Sequence, residues 1–209
     1  KLKKYQMFID GEWVDSDTKK TFKTLNPENN EPWAEVPEAS TKDVDKAVKA
    51  AQKAFEGKWS SLFPKERAKY LKAIANELRD NSELLGKIET IDTGKLYKET
   101  KTQANYIAEY YDYYAGLADK VEGTVLPIDK PNMQVITTRV PIGVVAAIIP
   151  WNSQMLLTAV KLAPALAMGN TVVIKSSELA PATLFELAKL IEKTGIPKGV
   201  VNIISGFGE

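Results

Sequence analysis

The sequence predicts an α/β fold in which a mostly helical amino-terminal part precedes a parallel β-sheet with helices on both faces. Continuous apolar runs at 142–149, 171–174 and 200–204 alternate with helix-forming runs at 154–168 and 181–193. Strands without polar alternation are typical of parallel sheets that are buried on both sides. Much of the sequence before residue 120 carries instead the 3.6-residue periodicity of amphipathic helices.

The composition excludes several classes of chemistry. The 209 residues include 28 basic and 27 acidic side chains, with a net charge of +1, but no cysteine and no histidine. These residues therefore contain no disulfide, thiolate nucleophile, imidazole base or histidine metal ligand. A near-zero net charge argues against nucleic acid or an anionic membrane as a partner, and the apolar stretches are too short to span a bilayer. We expect a cytoplasmic protein.

Short strands and turns are expected in residues 1–40, followed by a helix. Asp10-Gly11 is the signal of a tight hairpin turn. Ser40 followed by Asp43 has the pattern of a capping box, which starts a helix. The predicted inner face of this helix consists of Val44, Ala47, Val48, Ala51 and Phe55.

Three more helices are predicted before residue 120. Pro64 suits the first turn of one of them, and its predicted inner face consists of Leu71, Ile74, Ala75 and Leu78. The next covers 82–92 and stops at Asp92-Thr93-Gly94, and the last runs from about 99 to 118. The last carries five tyrosines, Tyr106, Tyr110, Tyr111, Tyr113 and Tyr114. Such a stripe can form a ligand platform, but helix packing is the favoured interpretation.

The chain divides into three parts where its pattern changes. Residues 1–120 contain the amino-terminal strands and helices, and residues 121–141 contain a β-rich run at 134–138. In residues 142–209 the order is strand, helix, strand, helix, strand. This order predicts the first half of a doubly wound, nucleotide-binding parallel sheet, whose ligands bind beyond the carboxyl ends of the strands.

Candidate binding residues follow each of the three strands. They form the segments Ile149-Pro150-Trp151-Asn152, Lys175-Ser176-Ser177-Glu178 and Gly206-Phe207-Gly208. Taken singly, each of these residues has a purely structural interpretation. Trp151 would be a packing residue, Asn152 a helix N-cap, Lys175 and Glu178 a surface pair, and the glycines a turn. Their common place at one sheet edge favours a cofactor cleft. The Glu178 carboxylate can accept from both ribose hydroxyls and would repel a 2′-phosphate, which favours NAD over NADP.

Six motifs occur in order along the chain. They are Glu89-Thr90-Ile91-Asp92-Thr93-Gly94-Lys95; Pro141-Ile142-Gly143-Val144-Val145 with 149–152; Lys161-Leu162-Ala163-Pro164-Ala165-Leu166-Ala167 with Gly169-Asn170-Thr171; 175–178; Gly199-Val200-Val201-Asn202; and Gly206-Phe207-Gly208. This ordered set resembles the NAD(P)-dependent aldehyde dehydrogenases and spans essentially the whole chain. The sequence is therefore similar to the amino-terminal portion of such an enzyme.

The resemblance implies a role for each candidate residue. Asn152 would donate its side-chain amide to the aldehyde oxygen as negative charge develops there. Lys161 matches a lysine that assists a proton relay in some members, and a buried ion pair is the equal alternative. The implied cofactor-binding residues are Ile149, Pro150, Trp151, Asn152, Lys175, Ser177, Glu178 and Gly208. The implied cofactor is NAD, with NADP possible, and the implied substrate is a small-molecule aldehyde that the sequence does not identify.

Asp92 raises the question of a metal. In some relatives this aspartate and main-chain oxygens near Leu25 bind a monovalent cation, but here a helix-end cap is the favoured interpretation and no metal site is predicted. The chain also departs from the family pattern, because Gln154, Ser176 and Leu96 stand where proline is common. None of these departures removes a functional group.

The family's chemistry requires a cysteine nucleophile and a glutamate base, which lie downstream of residue 209 in relatives. We therefore expect these residues to be inactive alone, to form a sheet with an unpaired edge, and to supply the cofactor cleft of a longer enzyme. We expect that enzyme to be a homodimer or homotetramer, with segment 121–141 in an oligomerisation sheet. The alternative is a non-catalytic nucleotide-binding or structural module.

Overall fold

Residues 2–208 are described by a computed structural model, in which five short strands precede the first helix. They are β1 (Lys3–Lys4), β2 (Met7–Ile9), β3 (Glu12–Val14), β4 (Thr21–Asn26) and β5 (Glu31–Pro37). Asp10 and Gly11 have φ values of 54° and 70°, which close a two-residue turn between β2 and β3. The predicted hairpin is confirmed. Strands β1, β5 and β4 form a sheet of their own.

Four helices follow the strands. They are α1 (Thr41–Ala54), which continues into a π-helical segment (Phe55–Trp59), α2 (Pro64–Asp80), α3 (Ser82–Thr93) and α4 (Tyr97–Leu117). The capping box of α1 is confirmed: the Asp43 N–H donates to Ser40 Oγ at 3.3 Å, and the Ser40 N–H donates to Asp43 Oδ2 at 2.8 Å. Pro64 begins α2 as predicted, and Gly94 ends α3 in the left-handed conformation with a φ of 76°.

The remaining elements build the main sheet. They are β6 (Val125–Leu126), β7 (Val135–Ile136), β8 (Val144–Ile148), α5 (Gln154–Ala167), β9 (Thr171–Lys175), α6 (Ala182–Lys193) and β10 (Val201–Ile204). Strands β8, β9 and β10 are parallel, and the full order is β3-β2-β10-β9-β8. The amino-terminal hairpin thus pairs with β10 in antiparallel fashion, while β8 has one neighbour among the described strands. The predicted α/β fold with half of a doubly wound sheet is confirmed.

Helices cover both faces of this sheet. Val172 and Ile174 belong to the larger core, which is shared with α2, α4, α5 and α6. Val173 points the other way and packs in a smaller core with the alanines of α1. Within residues 2–208, none of the helices has the length and apolar character that crossing a membrane requires.

The inner face of α1 differs from the predicted one. Ala47, Ala50 and Ala51 are buried, whereas Val44 and Val48 are 39% and 42% exposed. A Cβ built on Gly199, just before β10, would lie 2.5 Å from the carbonyl oxygen of Ala50. This close approach of helix and sheet selects small residues on the contact face, so the larger valines lie to the side.

The tyrosines of α4 serve packing only in part. Tyr111 is fully buried, and Tyr110 and Tyr114 are partly buried against the larger core. Tyr106 and Tyr113 are 50% and 63% exposed, so the packing interpretation is confirmed for three of the five.

The strands β6 and β7 pair as a two-stranded antiparallel ribbon outside the other sheets.

Candidate functional site

The carboxyl ends of the three parallel strands meet at one edge of the sheet. The register places Lys175 between Ile148 of β8 and Ile204 of β10. The Ile149 N–H donates to the Lys175 carbonyl at 3.0 Å, and the Ser176 N–H donates to the Ile204 carbonyl at 2.9 Å. These bonds continue the ladder past the strands and hold the three predicted loops side by side.

An ion pair stands at this edge. Lys175 Nζ donates to Glu178 Oε2 at 3.0 Å, and both side chains are half-buried. Hydrogen bonds from its own backbone and from Lys175 lower the pKa of Glu178, so its carboxylate is ionised at neutral pH. A donor and a double acceptor are therefore presented together beside the sheet, as ribose recognition requires.

The two serines between Lys175 and Glu178 shape the loop. Ser176 is fully buried and its Oγ donates to the Ile204 carbonyl at 3.3 Å. Ser177 is also buried, and its Oγ accepts from the Leu179 N–H at 3.2 Å. The loop conformation is thus fixed by its own side chains.

A cleft of about 510 Å³ opens next to the ion pair. Its strand-end walls are Trp151, Glu178, Leu179 and Phe207, and β4 contributes Phe22 and Leu25. The rings of Phe22 and Phe207 lie 5.0 Å apart between centroids, while Trp151 is 52% exposed. Mostly apolar and aromatic walls with the ionised Glu178 carboxylate at the rim suit the ring and ribose of a nucleoside, so these residues fit a nicotinamide nucleotide. Sequence patterns did not place the Phe22 and Leu25 side chains in the cleft wall, because β4 lies more than 120 residues away from the strand ends.

Asp92 links α3 to the start of α6. Its Oδ2 accepts from the N–H groups of Ala182 and Thr183 at 2.8 and 3.2 Å, and its Oδ1 accepts from Thr24 Oγ1 at 3.1 Å. Burial raises the pKa of this carboxyl to about 7, against the lowering effect of the hydrogen bonds. Asp92 is therefore a helix-end cap, as predicted, but it caps the first turn of α6 and not its own helix.

Asn152 and its neighbours form the turn between β8 and α5. Asn152 and Pro150 are exposed, whereas Ile149 is 1% exposed in the larger core and faces the edge only through its main chain. The N-cap position of α5 is held by Ser153, so the interpretation of Asn152 as the N-cap is wrong. The Asn152 amide is left available at the strand end.

Lys161 and Gly208 lie further from the ion pair. Lys161 is exposed two turns into α5, and its Nζ donates to the Leu157 carbonyl at 3.2 Å. The buried ion-pair interpretation of Lys161 is therefore wrong. Gly208 is exposed and lines a shallow cavity of about 440 Å³ with Glu38, Ala39 and Phe207.

Two residues of the motif at 89–95 carry features that the sequence did not indicate. Glu89 is fully buried, and neither of its carboxyl oxygens has a partner within the described residues. Burial raises the pKa of Glu89 to about 7, opposed by the attraction of Lys95. Lys95 Nζ in turn donates to Ser153 Oγ, the residue next to Asn152.

Comparison with known proteins identifies the family. A profile of the Aldehyde dehydrogenase family matches residues 13–209. The chain is 51% identical over 208 residues to (Z)-2-((N-methylformamido)methylene)-5-hydroxybutyrolactone dehydrogenase of Acinetobacter baylyi, covering 99% of this chain and 42% of that protein. It is 43% identical over 203 residues to betaine aldehyde dehydrogenase of Bacillus subtilis, covering 97% and 41%.

Solved structures agree with the sequence comparison. An NAD+ complex of aldehyde dehydrogenase from Bacillus cereus superposes with a TM-score of 0.95 at 39% identity, covering 99% of this chain and 42% of that one. The chain thus spans about two-fifths of the length of these relatives. With a profile match over nearly all of its length, the chain belongs to the aldehyde dehydrogenase family.

Proposed function

We propose that this chain forms the cofactor cleft of an enzyme that oxidises an aldehyde to a carboxylic acid with NAD. The observation that supports this most strongly is the convergence of three loops at one sheet edge, with the Lys175–Glu178 pair beside an apolar cleft. Family membership and the NAD+ complex of a similar protein point to the same chemistry. The substrate is proposed only as a small-molecule aldehyde.

The cleft residues divide the work of holding the cofactor. Lys175 and Glu178 bind the hydroxyls of the adenosine ribose, and Ser177 keeps their loop in place. Trp151 and the main chain of Ile149 and Pro150 border the nicotinamide side, while Gly208 leaves room at the adenosine end. Bound NAD supplies the hydride-acceptor chemistry of the reaction. The ionised Glu178 disfavours a 2′-phosphate, which biases the site towards NAD without excluding NADP.

Asn152 is the group in this chain that acts on the substrate. Its side-chain amide donates to the aldehyde oxygen and stabilises the negative charge that develops there. The role of Lys161 in a proton relay stays a prediction, since its ammonium contacts only the Leu157 carbonyl among the described residues. The covalent step needs a thiolate, and these 209 residues contain no cysteine. We place the cysteine and the glutamate base in the remainder of a longer protein, so this chain alone is proposed to be inactive.

We also propose that the chain has three parts with different roles in the whole protein. The part at 1–120 packs on the cofactor domain, the segment at 121–141 mediates oligomerisation, and the part at 142–209 begins the cofactor domain. The ribbon of β6 and β7 supports the second assignment, because Val125 and Ile136 are 66% and 63% exposed on it. A short ribbon with two free edges and exposed apolar side chains gains stability by pairing with a second copy. A cytoplasmic homodimer or homotetramer is the proposed form.

The test is aldehyde-dependent formation of NADH by the full-length protein and by its N152A variant. Losing one oxyanion donor lowers kcat by about a hundredfold or more, so the kcat of N152A is expected to be lower than that of the wild type by this factor. N105A, which removes an exposed amide on α4, is the matched control and is expected to be unaffected. Full activity of N152A, or binding of NAD without any aldehyde oxidation, would remove the enzymatic assignment and favour a nucleotide-binding module.

A further inference from the structure

Lys95 occupies a fixed position at the end of α3. Gly94 ends the helix and donates its N–H to the Thr90 carbonyl at 2.8 Å. Thr93 Oγ1 accepts from the Lys95 N–H at 3.4 Å and donates to the Glu89 carbonyl at 2.6 Å. The backbone of Lys95 is therefore tied to the helix, and its side chain leaves from a rigid base.

The side chain of Lys95 reaches the turn that carries Asn152. Lys95 Nζ donates to Ser153 Oγ across 58 residues of sequence. Ser153 stands at the N-cap of α5 with φ −167° and ψ 67°, yet its hydroxyl makes no capping bond. Its carbonyl accepts from the Leu157 N–H at 2.9 Å, so its backbone starts the helix while its side chain is engaged by Lys95.

Asn152 itself has little to restrain it. Its side chain is exposed, and none of the hydrogen bonds within residues 2–208 involves its amide. An oxyanion donor is effective only when it is held in place before the reaction, because reorientation during the reaction costs most of the benefit. The turn is fixed instead at its two ends, by the buried Ile149 on one side and by the Lys95–Ser153 contact on the other.

Two buried polar side chains lie on the helices that the Lys95–Ser153 contact joins, Glu89 on α3 and Gln154 on α5. Glu89 is fully buried with both carboxyl oxygens unpartnered, and Gln154, next to Ser153, is fully buried with both amide atoms unpartnered within the described residues. The charge of Lys95 attracts the Glu89 carboxyl. Unsatisfied polar groups are costly in a core, and one on each of the two helices that the Lys95–Ser153 contact joins indicates that this region is kept for more than packing.

We propose that Lys95 is a positioning residue, which holds the turn presenting Asn152 by donating to Ser153 Oγ from the rigid end of α3. The inference rests on the proposed role of Asn152 as oxyanion donor. Lys95 touches neither substrate nor cofactor in this scheme. It acts on the rate only through the orientation of the Asn152 side-chain amide.

The test uses the full-length protein with the variants K95M, S153A and the double variant K95M/S153A. K95M and S153A are each expected to lower kcat by about tenfold, because each variant loses one charge-assisted hydrogen bond. The KM for NAD is expected to stay unchanged. The double variant is expected to be no slower than either single one, because both remove the same contact. K95R retains a donor and is expected to recover most of the lost kcat.

K98M is the matched control, since Lys98 is exposed three residues later at the start of α4. It is expected to keep the wild-type kcat. A second readout is amide hydrogen exchange, which K95M but not K98M is expected to accelerate in 151–154 without changing it in β8 or β9. This readout does not depend on activity.

Each outcome bears on one claim. Wild-type kcat and wild-type exchange in K95M would overturn the positioning role. Additive losses in the double variant would do the same, because the two residues would then act separately. If N152A loses activity while K95M matches K98M, only the positioning inference fails. If N152A keeps full activity, the proposed function fails first, and accelerated exchange in K95M would then report a purely structural contact.

Discussion

Replacing Glu89 by Gln is expected to make the protein more stable at pH 8, and this gain is expected to shrink as the pH falls towards 5. Glu89 is buried with no partner for either oxygen within the described residues, and burial raises its pKa from 4.5 to about 7. Gln has the same shape as the protonated acid but carries no charge at any pH. The variant therefore isolates the cost of ionising a buried carboxyl.

The sign follows from the two pKa values. Between pH 4.5 and about 7 the unfolded chain has lost the Glu89 proton while the folded protein still holds it, so the stability of the wild type falls as pH rises through this window. The difference between the two values corresponds to about 3 kcal/mol, fully expressed above pH 7. E89Q is expected to regain most of this free energy of unfolding at pH 8.

The assay is urea unfolding, followed by circular dichroism at pH 5, 6, 7 and 8, with the free energy of unfolding extrapolated to water. Glu83→Gln is the matched control on the same helix: Glu83 is exposed and paired with Lys101, so its replacement is expected to leave the stability nearly unchanged at every pH of the series. An E89Q variant that is less stable than wild type at pH 8 would show that the Glu89 carboxylate has a strong partner. The reasoning from its isolation would then be wrong.

Three further predictions concern single side chains. Asp92→Ala is expected to destabilise the protein by about 1–3 kcal/mol in the same assay at pH 5, because it removes the oxygen that accepts from the Ala182 and Thr183 N–H groups, while the raised pKa of Asp92 leaves little buried charge to relieve at that pH; an unchanged unfolding midpoint would contradict the cap. Tyr111→Phe is expected to leave stability unchanged or to raise it by about 1 kcal/mol, since the buried hydroxyl has no partner among the described residues, and a loss larger than that would reveal one. Glu178→Gln is expected to narrow the preference of the full-length enzyme for NAD over NADP, measured as the ratio of kcat/KM values, and an unchanged ratio would remove Glu178 from cofactor selection.

Local signals predicted the elements that depend on neighbouring residues. Asp10-Gly11 predicts a tight turn because both residue types tolerate the positive φ that such a turn requires and that they adopt here. Ser40 and Asp43 predict a helix cap because the bonds between them span only three residues. The carboxyl ends of the parallel strands could be placed together for a similar reason. Parallel topology brings them to one edge whatever the rest of the chain does.

Features that arise from distant packing could not be predicted in this way. Periodicity alone put Val44 and Val48 inside, but the approach of α1 to within contact distance of Gly199 admits only alanines there. The same limit applies to Glu89, because nothing in its local sequence shows that the helices around it exclude water. The contribution of β4 to the cleft also depends on contacts across more than 120 residues.

The amino-terminal part is therefore a structural requirement of the cofactor cleft. The β2–β3 hairpin completes the sheet beside β10, and Phe22 packs against Phe207 in the cleft wall. Asp92 fixes the start of α6, and with it the end of the loop that carries Glu178. Each contact joins a residue before 120 to one after 148, so the geometry of the edge is set by both parts of the chain. A fragment that begins at residue 142 would keep the motifs of the parallel strands, yet it would lose one cleft wall, one sheet edge and the α6 cap, and we expect it to bind no nucleotide.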